Sequence, residues 1–136
     1  DGLARLLGKL HPEDVLVGEA LELSALPQHT SRVSTGPWRG ESLANLWSLS
    51  SRELSGTTKD DEFPWLVKWL DCAGPLSLQV HPGDKFARWA LGLSCGKNEA
   101  WVVVHADPGA RISSGLHGGV TRAIFEEHLA NGTIEE

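Results

Sequence analysis

Residues 76–81 (LSLQVH) alternate between apolar and polar without a break, and Pro82-Gly83 closes the run. A period of two fits an extended strand, whose successive side chains leave on opposite faces. Leu76, Leu78 and Val80 are then expected to enter a core. Ser77, Gln79 and His81 would stand side by side on the other face. Three polar groups on one face of an otherwise apolar strand mark either a solvated face or a site. Residues 101–104 (WVVV) form a second short strand signal, and residues 63–70 (FPWLVKWL) are apolar but for Lys68. Residues 111–114 (RISS) carry a weaker one.

Three segments have helical spacing instead. Residues 41–50 place Leu43, Leu46 and Trp47 at i, i+3 and i+4. Residues 84–93 place Phe86, Trp89, Ala90 and Leu93 on one face, with Asp84 as the expected N-terminal cap. Residues 121–130 start at a capping threonine and stop at Asn131-Gly132, with Ile124, Phe125, His128 and Leu129 as the expected buried face. Residues 34–40 (STGPWRG) read as a turn, and the polar stretch 49–62 as a surface loop. The expected fold class is mostly β with helical insertions. A βαβ parallel sheet fits less well, because the helical segments do not alternate with strands.

A length of 136 residues suits one domain or part of a larger one. The 12 basic and 18 acidic residues give a net charge of −6, which argues against a general nucleic-acid binder. No apolar run approaches the roughly 20 residues of a membrane span, and Asp1-Gly2-Leu3-Ala4-Arg5 carries no signal-peptide pattern. Cys72 and Cys95 form no C-x-x-C pair, so a reducing, cytoplasmic setting is expected. There is no methionine, even at position 1, which leads us to expect a fragment. The six tryptophans are expected to pack in the core.

Glu99 opens the apolar run 101–104, and a carboxylate held near a sheet interior must be paired, hydrogen-bonded or metal-bound. Histidine, glutamate and an amide oxygen suit a borderline metal such as Zn²⁺. The plainer alternative for Glu99 is a surface ion pair with a nearby lysine. Lys68 either snorkels to a sheet edge or lines a pocket. His11, His29, His105, His117 and His128 have no ligand spacing with one another and are expected in surface or packing roles.

Several motifs then align in order with one family. Gly18-Glu19 with Glu22-Leu23-Ser24, Phe63-Pro64-Trp65-Leu66-Val67-Lys68, Leu76-Ser77-Leu78-Gln79-Val80-His81-Pro82, Gly96-Lys97-Asn98-Glu99-Ala100-Trp101 and Pro108-Gly109-Ala110 are all present. The chain resembles the type I mannose-6-phosphate isomerases, zinc enzymes of carbohydrate metabolism in the cupin superfamily. The resemblance implies a cupin-type β-barrel (jelly roll), incomplete in this chain. It implies Gln79, His81 and Glu99 as ligands of one Zn²⁺ per site. Ser77 and Lys68 would bind substrate on its phosphate side, and Lys97 would serve catalysis beside the metal. Leu21, Gly83 and Asn98 depart from the family pattern, and none is a proposed ligand.

The implied partner is a phosphorylated hexose, with neither nucleic acid nor membrane, and the oligomeric state is left open. The family's final metal histidine and its arginine belong to a later segment. Residues 1–136 are therefore expected to be the N-terminal portion of such a domain, without appreciable turnover alone. The competing expectation is a non-catalytic metal- or sugar-binding module, since one fold hosts many functions.

Overall fold

The computed structural model describes residues 2–10, 15–56 and 62–134. Two compact units divide the chain at residue 76. The first holds helix α1 (Gly2–Leu7), strand β1 (Glu19–Leu23), helix α2 (Leu43–Ser55) and strand β2 (Val67–Leu70); the second holds helices α3 (Asp84–Leu91) and α4 (Arg122–Asn131).

In the first unit β1 and β2 pair antiparallel, with Glu19 opposite Leu70, Ala20 opposite Trp69, Leu21 opposite Lys68 and Leu23 opposite Val67. The register slips between Leu21 and Leu23, leaving Glu22 as an extra residue that bends the ribbon. Asp71 N–H continues the ladder to the Gly18 carbonyl at 2.8 Å. The Asp71 carboxylate also accepts from the Gly2 amide and so ties down the start of α1.

Between the strands, residues 34–40 form the expected turn, with Arg39 N–H donating to the Gly36 carbonyl at 3.2 Å and Gly40 N–H to Val33 at 2.9 Å. Gly36 and Gly40 take φ of 80° and 91°, a region open to glycine and costly for other residues. Ser42 then caps α2 by accepting from Asn45 N–H at 3.1 Å. The helix kinks at Ser50 and closes on Gly56 in the left-handed conformation.

A small aromatic cluster packs on α2. Trp47, only 5% exposed, meets the Phe63 ring edge-on at 5.1 Å, and Phe63 meets Trp65 at 6.1 Å. Ser24 is fully buried; its amide donates to Ser31 Oγ at 3.0 Å and its hydroxyl accepts from Leu26 N–H at 3.1 Å.

Several expectations are corrected here. The cupin-type barrel is absent: among the described residues the sheet is one two-stranded ribbon beside four helices. A barrel needs every strand hydrogen-bonded on both sides. Residues 76–81, 101–104 and 111–114 are not paired strands, and only the second half of 63–70 is. Leu76, Leu78 and Val80 do not enter a core but are 53%, 48% and 83% exposed.

The tryptophans follow suit. Trp47 is buried, whereas Trp38, Trp65, Trp89 and Trp101 are exposed. Helix α2 runs through the first half of the expected 49–62 loop, of which residues 57–61 lie outside the described residues. Helices α3 and α4 fall where their spacing puts them, and Thr121 caps α4 through Ile124 N–H. The expected α4 face is half-buried only at Phe125 and His128.

Trp47→Ala is predicted to destabilise the first unit by about 3 kcal/mol, the cost of truncating a packed aromatic. Urea unfolding followed by circular dichroism measures it. A loss within about 0.5 kcal/mol, typical of surface substitutions, would show that the Trp47–Phe63 contact is not structural.

Candidate functional site

Residues 76–81 pair with no other strand, and Pro82 and Gly83 lead the chain into α3. Gly83 occupies the N-cap position without any side chain to cap, so Asp84 is not the cap expected of it. The helix ends on Gly92 in the left-handed conformation, with Gly92 and Leu93 N–H groups both turned back to the Ala87 carbonyl. The chain then recrosses its own entry. Gly96 N–H donates to Asp84 Oδ1 at 2.9 Å and Lys97 N–H to the Pro82 carbonyl at 3.1 Å.

That crossing returns Glu99 to His81. Glu99 Oε2 contacts His81 Nε2 directly and accepts from Lys97 Nζ at 3.0 Å. The His81 and Glu99 side chains are 24% and 23% exposed, and His81 lines a shallow cleft with Pro82, Gly83, Gly96, Lys97 and Asn98. Of the other proposed residues, Gln79 donates through its amide nitrogen to Ser77 Oγ at 2.9 Å. The Gln79 oxygen is then the atom suited to a cation.

The carboxyl of Glu99 is depressed to about 2, first by its hydrogen bond with His81 and then by that with Lys97, against an opposing effect of burial. An imidazole nitrogen and a carboxylate oxygen already in contact are donors of the kind a Zn²⁺-class ion selects. Among the described residues no three His, Cys, Asp or Glu side chains converge on one point. The structure brings together His81 and Glu99, a pair that fits such an ion in donor type, while Gln79 is bonded to Ser77.

Lys68 sits on β2 in the first unit, and its Nζ reaches Glu19 Oε2 at 3.0 Å. The contact is diagonal across the ribbon, since Lys68 stands opposite Leu21. Sequence reasoning left Lys68 without a charge partner because strand β1 was not read from EALEL, where the adjacent Ala20 and Leu21 break the strand alternation. The remaining histidines hold local roles: His105 pairs with Asp107 at 3.2 Å, and His128 Nδ1 meets Thr133 Oγ1 at 2.9 Å beyond the end of α4. His11 lies outside the described residues.

Comparison with known proteins points one way. Residues 2–98 match the family described as phosphomannose isomerase type I, catalytic domain. The chain is 38% identical over 115 residues to the mannose-6-phosphate isomerase of Streptococcus mutans serotype c, covering 85% of this chain and 35% of the relative. It is 33% identical over 119 residues to the mannose-6-phosphate isomerase ManA of Bacillus subtilis, covering 88% of this chain and 37% of the relative. The chain thus spans about a third of the length of the curated relatives it matches. No solved structure matches it.

A pH prediction follows from Glu99. Its folded pKa lies below the ordinary carboxylate value of 4.5. The stabilisation is therefore fully present above about 4.5 and is lost as pH falls toward about 2. A carbon-detected NMR titration of the metal-free chain should place the Glu99 midpoint near 2, and Lys97→Ala should raise it. A wild-type midpoint near 4.5 would remove the proposed coupling.

Proposed function

Because this chain belongs to the type I phosphomannose isomerase family, we propose that it carries part of the active site of a metal-dependent aldose–ketose isomerase. The reaction interconverts mannose 6-phosphate and fructose 6-phosphate. The carrying observation is the meeting of His81 and Lys97, both inside the matched residues 2–98, with Glu99 directly after them.

The chemistry needs a proton taken from C2 of the open-chain aldose and one returned at C1, through an enediol. His81, Glu99 and Gln79 are the residues that would hold a Zn²⁺ ion. Such an ion, when bound, supplies positive charge that fixes sugar oxygens and stabilises the negative charge developing as the proton leaves. Lys97 donates to the same Glu99 oxygen that faces His81. In this reading it holds that carboxylate in place and presents an ammonium for a sugar oxygen. Ser77 supplies a hydroxyl to the substrate and is itself oriented by Gln79.

Lys68 takes the phosphate side. The chain is net acidic at −6, so a dianionic phosphate is held by local cations rather than by the mean field, and at contact range these prevail. Glu19 keeps the Lys68 ammonium paired before substrate arrives. The apo fold therefore gains little from deleting Lys68, since a partly exposed ion pair is worth about 0–1 kcal/mol.

The test is a steady-state assay of the full reading frame on mannose 6-phosphate. Activity should vanish with chelator and return with Zn²⁺. Lys68→Ala should raise KM at least about tenfold, the loss of a charge-assisted hydrogen bond, with metal content unchanged. An unaltered KM would remove Lys68 from the site. A full-length protein that binds metal and the sugar phosphate without turnover would favour the non-catalytic binding module instead.

A further inference from the structure

We propose that Asp84 is a positioning residue for the His81–Glu99 pair, acting through the backbone amide of Gly96. The proposal rests on the reading of that pair as metal ligands. His81 and Glu99 are 18 positions apart, and the chain between them leaves through α3 and must come back. A free loop of that length would spread Glu99 over a large volume, and its closure costs entropy.

The return is fixed at a narrow neck. Asp84 Oδ1 takes the Gly96 amide at 2.9 Å, and the Pro82 carbonyl takes the Lys97 amide at 3.1 Å. The Pro82–Lys97 bond is one residue past His81 and two before Glu99, and the Asp84–Gly96 bond is three from each. The neck is tight enough that a Cβ on Gly96 would lie 2.3 Å from the Pro82 oxygen and 2.8 Å from the Asp84 nitrogen. Only glycine fits without moving backbone.

Asp84 stands at the first position of α3, after the N-cap Gly83, and its Oδ1 is turned to the returning Gly96 amide. One turn along, Arg88 Nη1 donates to the Ser94 carbonyl at 3.1 Å, while its Nη2 lies 3.8 Å from Asp84. Two side chains at i and i+4 on α3 thus grip the returning segment, one accepting and one donating. The spacing that brings them to one helix face is the ordinary one.

The test uses the 136-residue chain, with amide hydrogen exchange by NMR in the absence of metal and Co²⁺ titration by visible absorption. Asp84→Ala should speed exchange at Gly96 and Lys97 at least about tenfold and raise the Co²⁺ dissociation constant about fivefold, the equivalent of one ordinary hydrogen bond. Asp84→Asn keeps an acceptor and should restore both readings to within about twofold of wild type. Gly96→Ala jams the neck without touching the carboxylate, should weaken Co²⁺ binding likewise, and decides the matter if Asp84→Ala disturbs α3.

Unchanged exchange at Lys97 in Asp84→Ala, or an Asn variant as impaired as the Ala variant, would overturn the proposal. A wild-type chain that binds no Co²⁺ would sink the metal reading alone. The exchange rates still judge the neck in that case, and unchanged rates overturn it.

Discussion

One oxygen of Glu99 faces both the His81 imidazole and the Lys97 ammonium, and α3 with the segment returning from it can be understood as what keeps it there. Two cationic or donor groups on one carboxylate hold it ionised well below its ordinary range. In bulk water such an arrangement is worth about 1 kcal/mol per pair. It therefore cannot pull a flexible loop closed by itself. Closure comes from the Gly96 and Lys97 amides, which donate to the Asp84 carboxylate and the Pro82 carbonyl, and from a helix with defined ends. The electrostatics then act on groups already delivered to one another.

The first unit solves its own problem differently. Among the described residues its sheet is two strands, and a two-stranded ribbon is marginal in water by itself. Here the ribbon is supported by the tie from Asp71 to α1 and by the diagonal Lys68–Glu19 pair, while the buried Ser24 loop and the Trp47–Phe63 cluster order the segments between its strands. These are polar and aromatic devices rather than a large aliphatic core: among the described residues, Leu3, Trp47 and Ala87 are the buried hydrophobic positions of the chain.

How much of this was legible in sequence depends on what kind of information each feature needs. Helices α2, α3 and α4 carry their own start and stop signals, Ser42, Thr121, Gly56, Gly92 and Gly132, and these are local. Strand β1 and the pairing of Lys68 with Glu19 are not local, because a strand is defined by its partner. For the same reason the alternating run 76–81 was a sound reading of side-chain pattern but a poor guide to a core. Val80 and its neighbours have no sheet to close against within the described residues. The approach of His81 to Glu99 came from motif order, not from periodicity. The role of Asp84 was hidden because an aspartate before a helix reads first as a cap.

The most direct test of the account is a long-range ¹H–¹⁵N spectrum of the histidine side chains during Zn²⁺ titration of the metal-free chain. The account predicts that the Nε2 resonance of His81 moves and saturates at one equivalent, and that Glu99→Ala abolishes the movement. The other five histidines should stay in place. Zinc bound elsewhere while His81 Nε2 stays unmoved, or a His81 response indifferent to the loss of Glu99, would contradict it.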